Sequence, residues 1–289
     1  MERSVSALAV QRDGETLLFE CGEGTQRQMM RYGVGFALSE IFFSHFHADH
    51  FLGVVGLVRT LGLQGRAEPL RLYGPKGAKR YLSAAVNLGV ERTPFEVEVV
   101  ELEAGAALHR GDYELLTYGA DHGGNALGYV LAEKDRFGKF DPAMARELGV
   151  PEGPLWGRLQ RGEAVTLPDG RVVPADAIVG PPRPGRKVVY TGDTRPCKGT
   201  IEAAIGADLL VHEATFSLEE LERARETDHS TAHEAAEVAR MAKVRRLVLT
   251  HVSARFSADP GPLLEEARAV FPETVVARDG TEIEVGYRE

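Results

Sequence analysis

The segment Ser44-His45-Phe46-His47-Ala48-Asp49-His50 places three of the chain's nine histidines and one carboxylate within six residues. His45 and His47 stand two apart at the end of the apolar run SEIFFSH, so both imidazoles can leave a strand in the same direction. Asp49 and His50 follow in the turn before the next helix, which can aim them at a second point close to the first. Imidazole together with carboxylate suits Zn²⁺, and less specifically Mn²⁺ or Fe. Three more candidates occur where an apolar run stops: His122 in TYGADHGG, Asp193 at the end of VVYTGD, and His251 at the end of RLVLTH. Taken singly, each reads as an ordinary loop histidine or turn aspartate. Taken with the first cluster, they complete seven ligands, which is enough for two ions. The expected division is His45, His47 and His122 on one ion, Asp49, His50 and His251 on the other, and Asp193 bridging. Two metals roughly 3.5–4 Å apart clamp both sides of an in-line phosphoryl displacement.

His229 precedes STAHEAAEVARMA, in which Thr231 and Glu234 have the spacing of a capping box. That puts His229 just ahead of a helix N-terminus, a natural position for phosphate. Glu213, at the end of LLVHE, could orient that imidazole and raise its pKa, so that a protonated His229 donates to a leaving oxygen. On spacing alone, the pair reads equally well as a surface acid and a loop residue. His109, His212 and His233 fall outside these patterns.

Positioning these groups calls for a layered scaffold. SALAVQRDGETLLFE predicts a hairpin turning at Asp13-Gly14, with arms at Ala7–Val10 and Thr16–Glu20. SEIFFSH, PLRLYGP, FEVEVVEL, YELLTYGA and LGYVLAE read as further early strands, and KVVYTGD, ADLLVHEAT, RRLVLTH, TVVARDG and EIEVGY as late ones. Helical spacing covers Phe51–Leu63, Lys76–Asn87, Cys197–Gly206, Glu219–Glu226, Thr231–Ala242 and Pro262–Val270. Two blocks of strands with helices between them predict an α/β fold of two sheets packed face to face with helices outside. Between the blocks, about residues 135–185 are rich in Gly, Pro and Arg and only weakly periodic, which reads as an inserted arm or a long functional loop. Residues 153–187 hold six basic and three acidic residues.

The chain has 289 residues, 43% hydrophobic and 27% charged, long enough for one large α/β domain over 1–289. Its short apolar runs exclude a membrane span, and its opening has no apolar leader core. Two cysteines, Cys21 and Cys197, exclude a disulfide scaffold and make a cytoplasmic setting the default. A net charge of −9 is the wrong sign for a protein that coats nucleic acid nonspecifically, so any phosphate-bearing substrate needs local positive charge or metal.

The HFHADH cluster, the later histidine, TGD and the strand-end His251 resemble the metallo-β-lactamase superfamily over most of the chain. Within it, FECGEGTQRQMMRYG, GPKG, DHGGNALGYVLAEKDRFGKFD, GPLWGRLQRGE, YTGDTRPC, HEATF, HSTAHEAAEVA and LTHVSARF resemble the ribonuclease Z (tRNase Z) family in its short bacterial form. The resemblance implies a four-layer αβ/βα sandwich, two Zn²⁺ per subunit with Mn²⁺ as a substitute, a homodimer, and endonucleolytic removal of the 3′ trailer from precursor tRNA. It implies that Asp49 is both ligand and proton acceptor, and that His229 with Glu213 assists the leaving 3′ oxygen. It further implies that Gly153, Pro154, Gly157, Arg158 and Gly162 belong to a protruding exosite arm that grips the tRNA and serves the other subunit's site, and that Arg255 of SARF touches substrate. The family pattern has a strand and a Gly/Pro loop ahead of the segment that starts here at Glu2, so an unpaired edge strand and reduced activity are expected.

Two other readings remain. One is a different hydrolase of this superfamily, such as a small-molecule phosphodiesterase, a lactonase or a thioester hydrolase, which would have no need of a basic arm. The other is a nucleic-acid-binding protein without chemistry, against which a complete ligand set argues. His47 stands where redox di-iron relatives carry a carboxylate.

Overall fold

Asp13 and Gly14 both adopt left-handed backbone, φ 45° and 83°, the geometry of a two-residue hairpin turn. They join β1 (Leu8–Arg12) to β2 (Glu15–Phe19), with Arg12 opposite Glu15. β3 (Leu38–Phe42), β4 (Leu70–Gly74) and β5 (Val97–Glu101) then extend the sheet in parallel, in the order β1-β2-β3-β4-β5. The computed structural model describes residues 3–90 and 92–288. Met1, Glu2, Glu91 and Glu289 lie outside the described residues, and with them both ends of the expected 1–289 domain and Glu2, where the family segment is expected to start.

Helices α1 (Thr25–Tyr32), α2 (Ala48–Phe51), α3 (Val54–Leu63) and α4 (Ala78–Val86) connect these strands. The single helix expected over Phe51–Leu63 is therefore two. Gly53 marks the break, packed so tightly on the strand end that a Cβ there would lie 1.8 Å from the Gly22 carbonyl oxygen. The same contact is bolted by hydrogen bonds from Cys21 N to His50 O and from Gly53 N to Cys21 O, at 2.7 and 2.8 Å. α1 is not among the helices expected from the sequence.

β6 (Ala107–His109), β7 (Tyr113–Gly119) and β8 (Leu127–Glu133) begin the second sheet as an antiparallel meander. The chain then leaves through residues 134–186, which carry α5 (Pro142–Glu147), α6 (Pro154–Gln160), β9 (Val165–Thr166) and β10 (Val172–Val173). It returns as β11 (Lys187–Tyr190), paired antiparallel to β8. After α7 (Lys198–Ala204), β12 (Leu209–Glu213), α8 (Leu221–Glu226), α9 (Ala232–Met241), β13 (Leu247–Thr250), α10 (Gly261–Val270) and β14 (Thr274–Val276), the sheet order is β14-β13-β12-β11-β8-β7-β6. Both sheets are mixed. The final strand expected at EIEVGY is absent: its backbone carbonyls at Val285 and Gly286, and that of the following Arg288, accept from the side chains of Arg186, Arg245 and Arg136 rather than from a neighbouring strand.

Three apolar clusters layer the body. Leu57, Val58 and Leu82 of α3 and α4 pack on Leu18, Ile41 and Leu72. Phe19, Phe42 and Tyr73 meet Tyr129, Tyr190 and Val211 between the sheets, with Phe42 stacked on Tyr73 at 4.9 Å. Ala235, Ala239 and Leu263 of α9 and α10 cover Val189, Leu210 and Leu249 on the far side. The inserted segment is a small lobe rather than a loop. Ala145, Val150, Leu159, Val165, Leu167, Val173 and Ile178 form its own core, and elements of two to seven residues are too short for that core to register as periodicity. Its stem continues the β8–β11 pairing through Glu133 N to Arg186 O and an Arg136–Arg183 bridge. No helix among the described residues is long and apolar enough to cross a membrane.

Candidate metal centre

Each histidine of the cluster is aimed by a specific neighbour. Ser44 Oγ lies 2.9 Å from His45 Nδ1, His122 Nδ1 donates to the Asp228 carbonyl at 2.7 Å, and Thr215 Oγ1 lies 2.8 Å from His251 Nδ1. All three therefore turn Nε2 inward. His50 Nδ1 faces the buried Glu20 carboxylate at 3.7 Å. Three loops are forced together at this point. Leu127 N bonds Ser44 O, and Gly192, at φ 61°, leaves no room for a Cβ, which would come 2.4 Å from Ser44 Oγ. His251 itself is held at φ 51°, a conformation a histidine adopts at a cost and keeps only where its surroundings impose it.

Asp193 lies at the centre. Its Oδ2 is 3.2 Å from His50 Nε2, 3.3 Å from His251 Nε2 and 3.6 Å from His45 Nε2. Asp49 Oδ2 lies 3.4 Å from His251 Nε2 and 3.6 Å from His50 Nε2, and His47 Nδ1 lies 3.2 Å from His122 Nε2. The ligating atoms form two groups, His45 with His47, His122 and Asp193, and Asp49 with His50 and His251; in each, all atoms lie within 4.8 Å of one another. Asp193, His229 and His251 satisfy the same criterion.

The polypeptide alone does not satisfy this cluster. His45 Nε2, both ring nitrogens of His50 and Asp193 Oδ1 are buried without a hydrogen-bond partner, and an orphaned buried polar group costs about 1–3 kcal/mol. Burial, then the charge of His50, pushes His45 down to about 2, leaving a neutral imidazole with a free lone pair. Burial opposes ionisation of Asp193, but the surrounding imidazoles hold its pKa well below the usual carboxylate range. Burial also lowers His50 and His251, but the negative charge of Asp193 outweighs it and raises both, the latter to about 9, so these two imidazoles carry protons that a bound cation would displace. Imidazoles gathered around an ionised carboxylate are the donor set of a divalent transition-metal site.

Glu213 and His229 adjoin this centre. Glu213 is fully buried. Its Oε1 accepts from Thr194 N at 3.0 Å and from His229 Nδ1 at 2.7 Å, and its Oε2 from Thr215 N and Oγ1 at 3.2 and 2.7 Å. Burial pulls the His229 imidazole down, yet the Glu213 bond and charge outweigh it and raise its pKa. His229 Nδ1 lies 4.0 Å from Asp193 Oδ2. The capping box at Thr231 and Glu234 is formed. Sequence reading passed over Thr215, Ser44, Glu20 and Asp228. Thr215 had a signal, standing two residues past Glu213 in HEATF. Glu20 had another, a carboxylate ending an apolar strand, now at φ 62° and buried.

The remaining candidates are not among the residues whose ligating atoms group together. Gly153, at φ 132°, caps α6, Pro154 opens it, Gly157 and Arg158 are within it, and Gly162 follows at φ 86°. Much of the basic excess is internally paired: Arg158 and Arg161 both reach Glu163, Arg171 reaches Asp169, and Arg186 reaches Glu133. Arg255 pairs with Glu220 and lies 5.8 Å from the Phe216 ring. Among the described residues both cysteines are free thiols.

Residues 1–133 match the metallo-beta-lactamase superfamily, and residues 171–252 match a beta-lactamase superfamily domain. The chain is 60% identical to ribonuclease Z of Gemmatimonas aurantiaca, covering 100% of this chain and 93% of that one. It is 54% identical to ribonuclease Z of Haloferax volcanii, covering 99% and 91%. Its fold matches the human short-form tRNase Z with a TM-score of 0.70 and 25% identity, covering 98% and 93%.

Proposed function

The chain belongs to the ribonuclease Z family of the metallo-β-lactamase superfamily, and from that premise we propose that its His/Asp cluster is where the phosphodiester joining a 3′ trailer to precursor tRNA is hydrolysed. The observation that carries this reading is the position of Asp193, one carboxylate oxygen of which lies within 3.6 Å of His45, His50 and His251 together. His45, His47 and His122 would hold one Zn²⁺, and Asp49, His50 and His251 a second, with Asp193 shared; Mn²⁺ suits the same donors. The bound ions would supply Lewis-acid stabilisation of the phosphoryl group and a nucleophilic water at neutral pH.

The chain's own groups orient the reaction. Asp49, half-exposed beside His251, accepts the proton of the attacking water. Glu213 holds Nδ1–H of His229, which leaves Nε2 to donate a proton to the departing 3′ oxygen, so that the tRNA product ends in a 3′-hydroxyl. The lobe built on Gly153, Pro154, Gly157, Arg158 and Gly162 is the exosite for the tRNA body, presented by one protomer of a cytoplasmic homodimer to its partner's site, and Arg255 touches the substrate near the cut. Incubating end-labelled precursor tRNA with and without chelator and mapping the product ends tests the proposal. A single chelator-sensitive cut at the 3′ end of the mature tRNA is expected; a chelator-resistant or scattered pattern refutes it.

A further inference from the structure

A cavity of about 260 Å³ opens beside His229 and is lined by Asp121, Arg195, Pro196, Arg225, His229 and Glu234. Its two arginines are not equivalent. Arg195 donates from Nη2 to Asp121 Oδ2 at 2.9 Å, its Nε lies 3.4 Å from Asp228 Oδ1, and its backbone N bonds the Asp121 carbonyl at 3.0 Å. Its charge is met by two carboxylates and its position is fixed from both ends. Arg225, exposed on α8, has a guanidinium with no acidic or hydrogen-bonding partner among the described residues.

The acids of the cavity do not answer Arg225. Asp121 is taken by Arg195, and Glu234 turns back to its own helix start, where Oε2 accepts from Thr231 N and Oγ1, both at 3.0 Å. In a chain with 43 acidic and 34 basic residues, a cation left unpaired at the mouth of a cavity beside His229 is free to take an anion from outside. No aromatic ring other than the His229 imidazole lines the cavity, so stacking on a base is not its main offer. Its open donors suit a phosphate, whose contacts fix register without reading sequence.

We propose that this cavity is a subsite for the phosphodiester one nucleotide from the scissile bond on the mature-tRNA side, with Arg225 as the phosphate contact and Arg195 as a fixed wall. The proposal rests on the reading above, in which His229 serves the leaving 3′ oxygen. That oxygen belongs to the last nucleotide of the tRNA, so the next phosphate inward is the one that falls beyond His229. Arg225 thus aligns the strand by a charge contact independent of the base.

The test uses full-length, metal-loaded enzyme and precursor tRNAs carrying one uncharged methylphosphonate, either at that phosphate or at a control position deeper in the trailer. For the wild type, the neutral linkage at the proposed position should lower kcat/KM about tenfold, the size of one charge-assisted contact near solvent. Arg225→Ala should lose about tenfold on the unmodified precursor and little more on the neutral one, and Arg225→Lys should recover part of the loss. In binding titrations, Arg225→Ala should also flatten the slope of log Kd against log salt by about 0.7, one single-strand phosphate contact. A neutral linkage that costs Arg225→Ala as much as it costs the wild type, or an unchanged salt slope, overturns the subsite alone. A wild type that leaves the unmodified precursor uncut overturns the functional reading and the subsite with it.

Discussion

His122 Nδ1 donates to the carbonyl oxygen of Asp228 at 2.7 Å, and Asp228 sits at φ 57° immediately before His229. One strained residue therefore sets the tautomer of a metal-ligand candidate and delivers the next side chain to Glu213. The candidate ligand shell and the proposed proton donor share a backbone hinge, although the duties proposed for their side chains differ.

That division of labour predicts the behaviour of His229→Ala. The substitution removes the imidazole but leaves the Asp228 carbonyl in place for His122, so bound metal should stay at the wild-type level by atomic emission. Cleavage of precursor should slow by about 10²–10⁴, the usual worth of a positioned acid. Loss of metal in this variant would make His229 a ligand, a role that its 4.0 Å approach to Asp193 leaves geometrically open.

Asp193→Ala should behave in the opposite way. Its carboxylate is the anionic group common to both halves of the cluster, and without it buried imidazoles face one another with nothing between them. Metal content should fall for both positions and turnover should become undetectable, while far-ultraviolet circular dichroism stays native because the apolar layers do not involve this residue. Retention of both ions would show that Asp193 does not bridge them.

Glu133 gives a prediction about acid stability away from the metal centre. Burial pushes its carboxyl up, but the bonds from Arg186, at 2.9 Å to the guanidinium Nε and 3.1 Å to the backbone N, and the nearby charge of Arg12 outweigh this and lower its pKa. A depressed carboxyl stabilises the fold fully above its unfolded pKa of about 4.3 and ceases to as the pH falls through the folded value. The melting temperature should therefore drop on acidification below about pH 5, and Glu133→Gln should be less stable at neutral pH and lose less on acidification than the wild type. Parallel curves for the two proteins, measured with chelator present in both so that the metal drops out, would remove Glu133 from the acid response.

The residues that meet at the centre could be picked out from the sequence because each follows an apolar run, and a layered α/β scaffold gathers strand ends on one rim. The hairpin at Asp13-Gly14 and the capping box at Thr231 were equally plain, since two or four residues carry their whole signal. What escaped were the partners whose role depends on folding. Thr215 joins Glu213 to His251 across 36 positions, and Glu20 reaches His50 only because Gly22 and Gly53 let two backbones touch. The helix over Phe51–Leu63 broke for the same tertiary reason. EIEVGY has the alternation of a strand, and Ile283 and Val285 do pack on the inter-sheet core; arginine side chains took its carbonyls instead.

The inserted lobe carries the last prediction, because its packing allows it to be loosened without touching the metal centre. Leu159 is fully buried in the lobe's own cluster with Val150, Val165 and Ile178. Truncating such a leucine costs about 2–5 kcal/mol, a large share of what a core of this size can supply, so Leu159→Ala should unfold the lobe locally while the two sheets keep their three apolar layers. If the lobe grips the tRNA body, KM for precursor should rise at least tenfold and binding should lose part of its salt dependence, while turnover of bis-p-nitrophenyl phosphate, too small to reach the lobe, stays at the wild-type rate. Steady-state kinetics on both substrates, with limited proteolysis to confirm cutting within residues 134–186, provides the check. Equal losses on the two substrates would tie the lobe to the integrity of the centre and end its claim to be a separate exosite. Unchanged precursor kinetics in a demonstrably unfolded lobe would favour a small-molecule hydrolase in which this segment has no part in recognition.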